Sequence, residues 1–177
     1  MDTEHVVLEA DRYTHVAATV GIVNYWGKEW DYTIRHEPGS FMVNRYTVAI
    51  TGFKSWSLMR GHELDWVRNQ VQKLLQGKLV VLCDADPDFR ALGLNREDFD
   101  VFDLQDFWRD ANGRKYGLKN IYAQYFPDYG KFQDGVHSAV EDARVTMKIF
   151  RDVYIDEFRP VERYTRLPTD CTFSRVY

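Results

Sequence analysis

Three strand-like runs open this chain, and helical and strand-like segments alternate after them. That order restricts the fold to a sheet covered by helices. "HVVLEAD" reads as the first strand. "ATVGIVNY" and "EWDYTIRH" flank a turn at Trp26-Gly27-Lys28 and read as a hairpin of β-branched and aromatic residues. Leu64, Val67, Val71 and Leu74 recur at helical spacing, which predicts a helix from Leu64 to Leu75 with Gly77 as its stop. "KLVVLCD" reads as a buried strand, "FRALGL" as a short helix, "FDVFDLQDFW" as a further strand and "GLKNIYAQYF" as a helix. A long helix, "SAVEDARVTMKIFRDVYIDEF", closes the fold. Ser138 and Glu141 form a capping box at its start, and Val140, Ala143, Met147 and Phe150 make its apolar stripe. The expected class is α/β, a mixed sheet with helices packed on it. Residues 1–158 make one domain, and the polar stretch 159–177, with two prolines, reads as a surface tail.

Composition narrows the function. With 45% hydrophobic and 15% aromatic residues, the 177-residue chain can build a real core. A net charge of −4 argues against a protein that coats nucleic acid non-specifically, but it leaves room for an enzyme with a local basic groove. Cys83 and Cys171 make no CxxC motif or disulfide framework, which favours a reducing compartment. No apolar run is long enough to span a bilayer and no signal-peptide pattern is present. The expected location is therefore intracellular, cytoplasmic or nuclear, with no membrane partner.

Three acidic clusters carry the candidate chemistry. Side chains at i and i+2 of a strand share a face, so Glu9 and Asp11 are expected to project together. A divalent cation between them would relieve their repulsion; alternatively both reach solvent beside Arg12. "CDADPDF" opens like a calcium loop, but Phe89 and Asn95 stand where Gly and Glu are needed. What remains is a strand whose carboxyl end carries acids, where sites of α/β sheets lie. In "DGVHSAVEDARVTM", His137 precedes a helix whose first turn carries Asp142. This arrangement suits a general base beside a metal ligand, and equally a loop histidine beside an acid that favours the helix dipole.

In this order and spacing, the clusters resemble the DEDDh family of 3′–5′ exonucleases, in the branch holding the interferon-stimulated exonuclease, the RNA exonucleases and the deadenylase nuclease domain. The family's "SLVNxxG" is similar to "GIVNYWG", its "LLKGKxLVGHDLxxDFxxL" to "LLQGKLVVLCDADPDFRAL", and its "SLxxLxxxFL…HxxxEDAxAT" to "GLKNIYAQYF…HSAVEDARVT". The resemblance covers about residues 6 to 154. It implies an RNase H-like mixed five-stranded sheet flanked by helices. It implies hydrolysis of single-stranded RNA, or DNA, from the 3′ end. Carried over by position, Glu9, Asp11, Asp88 and Asp142 are the expected ligands of two divalent cations, Mg²⁺ or Mn²⁺, and His137 the expected base. Phosphodiester hydrolysis builds charge on the attacking and leaving oxygens, and hard cations held by carboxylates offset it.

Departures from the pattern set further expectations. The family's first motif is Asp, any residue, Glu, in "VALDCEMVG"; aligned on the apolar run, this chain reads "VVLEADRYT", with the acids reversed. Such a reversal lengthens the first arm and shortens the second, and displacement by an ångström costs on the order of a hundredfold in rate. The alternative reading is therefore a pseudo-exonuclease that binds RNA or protein. For substrate, Arg12 and Tyr13 are candidates to meet a phosphate and stack on a base, and Thr51, Gly52 and Phe53 resemble the family's "SGIT" segment. Arg45, Arg60 and Lys115 are candidate cations, Trp66 suits core or surface equally, and Cys83 is expected to be a structural thiol.

Overall fold

The computed structural model of the chain describes residues 1–127 and 132–155. The expected tail and the last turn of the closing helix lie outside the described residues.

β1 (Asp2–Val7), β2 (His15–Val23) and β3 (Glu29–Thr33) form an antiparallel sheet in the order β1-β2-β3. β2 is central because Ala17 to Val23 is almost wholly apolar and small enough to be covered on both faces. Its hairpin to β3 is fixed by the Asn24 side chain, which accepts from the N–H groups of Trp26 and Lys28 at 3.0 and 2.8 Å. β4 (Leu79–Leu82) and β5 (Asp100–Asp103) pair in parallel as a second sheet. The Met1 amino group donates to the Val81 carbonyl at 2.9 Å and joins the two. The expected five strands are thus present, but as a three-stranded and a two-stranded sheet. A single bond at the start of β1 does not make a ladder.

Helices cover both faces. α1 (Arg45–Thr51) starts at a capping box of Asn44 and Thr47, within "NRYTVAITGF", a stretch whose pattern suggests no helix. α2 (Leu64–Leu75) buries Val67, Val71 and Leu75 at the expected spacing. α3 (Ala85–Leu92) begins earlier than "FRALGL", because Pro87 falls in its first turn, where no N–H is required. The strand expected through Trp108 stops at Asp103 and gives way to α4 (Leu104–Phe107). α5 (Leu118–Tyr125) follows, then α6 (Ala139–Ile149), which passes into a π-helical turn at Phe150–Ile155.

α6 departs from its expected cap and stripe. Ser138 holds the N-cap position without a side-chain bond, because Glu141 pairs with Arg144, which also pairs with Glu29 of β3. The buried residues are Ala139, Asp142, Ala143, Val145, Thr146 and Ile149, so Asp142 lies within the buried face. Apolar residues of α2 and α3 pack on the first sheet, around Val20, Val71, Phe89 and Leu92. A second core forms between β4, α5 and α6, around Val81, Leu104, Ile121 and Ile149.

Candidate active site

The position of the site follows from one glycine. Gly21 of β2 pairs with Asp2 of β1, and α6 crosses directly above it. A Cβ at Gly21 would fall 2.2 Å from the Ala139 carbonyl carbon and the Val140 nitrogen, so a side chain there would displace the helix. Close packing lays the first turn of α6, with Asp142, over the start of β1. Asp2 and Glu4 share one face of that strand by alternation. Ligand atoms of Glu4, His137 and Asp142 all lie within 4.8 Å of one another. β2 has an extra residue, Ala18, opposite the Glu4–His5 step of β1, a bulge of the kind that re-aims side chains beside sites.

Asp88 approaches from α3, near enough for its charge to act on Glu4 and Asp142, while one carboxylate oxygen is held by Thr3. Asp88 is buried, and its Oδ1 accepts from the Thr3 hydroxyl at 2.5 Å. α3 is itself anchored by Asp103, whose carboxylate accepts from the N–H groups of Asp84, Ala85 and Gln105 at 3.0, 3.0 and 2.9 Å. This buried acid starts two helices and ties β4 to β5. On the other side, the His137 N–H donates to the Ile50 carbonyl at 2.7 Å, which docks the histidine loop on α1. His137 Nδ1 stands 3.9 Å from Asp142 Oδ2, which also accepts from Gln133 Nε2 at 2.5 Å.

Crowding of acids shows in their protonation. Burial pushes the Glu4 carboxyl up to about 8, and the charges of Asp142 and Asp88 add to this. Asp2 is raised well above the usual range by burial and then by Asp88, Asp142 and Glu4, with the amino terminus opposing. Burial also raises Asp142, against the Gln133 hydrogen bond and the His137 charge. Buried carboxylates crowded beside one imidazole are a donor set for hard divalent cations. The residues present fit such a group.

Of the sequence-predicted residues, Asp142 and His137 come together and Asp88 stands near enough to act on Asp142 by charge, whereas Glu9 and Asp11 do not join them. β1 ends at Val7, and the chain then turns back on itself, with Thr14 N–H donating to the Asp11 carbonyl at 3.1 Å. Both side chains are exposed. Asp11 accepts from Thr14 Oγ1 at 2.5 Å and Tyr13 N–H at 3.0 Å, and these bonds hold its carboxyl below the usual range. Glu9 and Asp11 thus sit in and beside a turn instead of on one strand face. The sequence held a signal for the missed pair: Asp2-Thr3-Glu4 has the family order of Asp, any residue, Glu, without reversal.

The candidate substrate residues divide in the same way. Arg12 and Tyr13 are exposed in the turn after β1, with Tyr13 93% exposed. Thr51, Gly52 and Phe53 end α1 beside the histidine loop. Gly52 adopts φ +69°, and a Cβ there would meet Val136 Cγ1 at 2.9 Å. Arg45 lies over the Tyr46 ring, Arg60 is exposed, and Lys115 is 3.7 Å from Asp106. Trp66 is half-exposed and stacks on His62 at 4.2 Å. Cys83 is partly buried, and burial pushes its thiol up, consistent with an inert residue.

Helices on an antiparallel and a parallel sheet, with acids supplied by β1, α3 and α6, match the RNase H-like fold of solved exonuclease domains. The chain resembles RNA exonucleases in sequence and the nuclease domains of solved exonucleases in fold. It is 30% identical over 155 residues to RNA exonuclease 4 of Gibberella zeae, an alignment covering 85% of this chain and 47% of that protein. RNA exonuclease 4 of Homo sapiens is 27% identical over 153 residues, covering 85% of this chain and 35% of the other. The chain therefore spans less than half the length of these curated relatives. Among solved structures, the Neurospora crassa Pan2 catalytic unit (protease and nuclease domain) has a TM-score of 0.68 at 20% identity, covering 87% of this chain and 26% of that one. The Saccharomyces cerevisiae Pan2 pseudoubiquitin hydrolase-RNA exonuclease module in complex with AAUUAA RNA has a TM-score of 0.67 at 18% identity, covering 87% and 28%. No family model matches the chain. Among the described residues, no helix is long and apolar enough to cross a membrane.

Proposed function

We propose that this chain is a metal-dependent exonuclease that hydrolyses single-stranded RNA from its 3′ end. The observation that carries this reading is the cluster of Glu4, Asp142 and His137, with Asp2 and Asp88 near enough to interact with it by charge. In this reading the four carboxylates hold two divalent cations, Mg²⁺ or Mn²⁺. When bound, such cations offset the charge that develops on the attacking and leaving oxygens. His137 sits on a loop tied to α1 and takes the proton of the attacking water. Thr51, Gly52 and Phe53, beside that loop, contact the terminal nucleotide. Arg12 and Tyr13 lie in an exposed turn and suit an upstream phosphate and base.

The pseudo-exonuclease alternative rested on the reversed order of Glu9 and Asp11 and on the altered residues Arg12-Tyr13-Thr14 after them. In the present reading Asp2-Thr3-Glu4 supplies both acids in the unreversed order, which speaks against the first of these grounds. The test is cleavage of a 5′-labelled RNA with a free 3′ end, in Mg²⁺, Mn²⁺ or EDTA, beside Asp88→Asn. A ladder shortening from the 3′ end, lost with EDTA and in the variant, is expected. Equal behaviour of wild type and Asp88→Asn in both metals would end the nuclease reading.

A further inference from the structure

We propose that Thr3 and His5 are positioning residues that fix the carboxylate of Asp88. The inference deepens the reading of Asp88 as a cation ligand and rests on it. Thr3 and His5 share the face of β1 opposite to Asp2 and Glu4. Thr3 Oγ1 is 2.5 Å from Asp88 Oδ1 and 2.5 Å from His5 Nε2, while Nε2 and Oδ1 are 3.6 Å apart. A hydroxyl has one proton to give. Thr3 gives it to Asp88, so it must receive from His5, and His5 must carry a proton on Nε2. The donors therefore run one way, from imidazole to hydroxyl to carboxylate.

Burial makes this chain of bonds consequential. Thr3 and Asp88 are each at most 7% exposed, and His5 is partly buried. In such surroundings successive hydrogen bonds polarise one another, and an unmet partner is costly. The relay holds Asp88 Oδ1 in one orientation before any cation arrives. It also links β1, which carries Asp2 and Glu4, to α3, which carries Asp88. Outer partners of this kind tune affinity: losing one costs about tenfold to a hundredfold in cation binding or activity.

Two measurements test the proposal. The first uses imidazole ¹⁵N NMR on metal-free protein. His5 is expected as the Nε2–H form, hydrogen-bonded in wild type and released in Thr3→Val. A His5 proton on Nδ1 alone would overturn the relay. The second titrates Mn²⁺ by calorimetry and follows RNA cleavage in Thr3→Val, Thr3→Ser, His5→Ala and His5→Gln. Val and Ala variants are expected to weaken Mn²⁺ binding by about tenfold to a hundredfold. Ser and Gln keep the required donor and should restore most of it. Saturating Mn²⁺ should recover kcat in all four variants, a split that general unfolding would not give. A wild type that binds and cleaves, with Thr3→Val and His5→Ala indistinguishable from it, would overturn the positioning role alone. A wild type that neither binds Mn²⁺ nor cleaves, yet shows the Thr3-dependent Nε2–H signal, would overturn the nuclease reading and uphold the relay.

Discussion

Glu4 and Asp103 are both buried acids, each 7% exposed, yet their surroundings are opposite. Asp103 accepts from three backbone N–H groups and faces the starts of α3 and α4. Glu4 faces Asp142 and Asp88, and burial with those charges pushes its carboxyl up to about 8. The first is an acid whose charge the fold has already answered. The second waits for something positive that the backbone does not supply. Burial alone therefore does not mark a functional acid; the number of donors aimed at it does.

The contrast predicts which acids can be neutralised without harm. Removing the charge of Asp88 or Asp142 should have the largest effect on chemistry. Asp88→Asn and Asp142→Asn are expected to lose at least about a thousandfold in cleavage, the loss of several kcal/mol of charge stabilisation. Melting should stay near wild type, because these carboxylates crowd other acids; a collapse in Tm would make them structural and erase the distinction. Asp103→Ala is the converse experiment. It uncaps two helices at up to about 2 kcal/mol each, so a loss of about 2–4 kcal/mol in chemical denaturation is expected. The folded fraction should still cleave RNA.

A smaller effect separates the two settings by pH. Glu4 binds its proton more tightly in the folded chain, about 8 against 4.5, and Asp2 and Asp142 are shifted in the same direction. The folded state then holds more protons than the unfolded one across that interval. Stability of metal-free protein should be full below about pH 4.5 as far as Glu4 is concerned, and should fall as pH rises through 8. Tm measured between pH 5 and 8 should decline in EDTA, and Glu4→Gln should flatten the slope. Cation binding should strengthen with pH over the same range, because it displaces protons. A flat Tm profile in EDTA would mean that the acids are not crowded. The smallest effect belongs to the acids outside the site: Glu9→Gln and Asp11→Asn should leave the melting temperature close to wild type, as substitutions at exposed positions do. Cleavage should be unchanged. Loss of cleavage in either variant would move the site back toward the turn after β1.

Much of the fold was legible because it follows local rules. α2, α5 and the β2–β3 hairpin lie close to where periodicity and turn residues put them. His137, Asp88 and Asp142 were candidates because the family resemblance carries onto motifs near helix starts. α1 was missed although Asn44 and Thr47 form a capping box, since only seven residues follow and none is buried. The stripe of α6 was misplaced because the helix buries an acid, Asp142, where periodicity expects apolar residues.

The sequence by itself determined the order of elements and the residue types of the site, because helical period, strand alternation and capping act within a few residues. Only the tertiary structure decided which pair of acids lies on the first strand, beneath Asp142. Asp2 with Glu4 and Glu9 with Asp11 satisfy the same i, i+2 rule equally well. What separates them is long-range: the register that sets Asp2 opposite Gly21, and the absence of a side chain at Gly21 that lets α6 bring Asp142 down over β1.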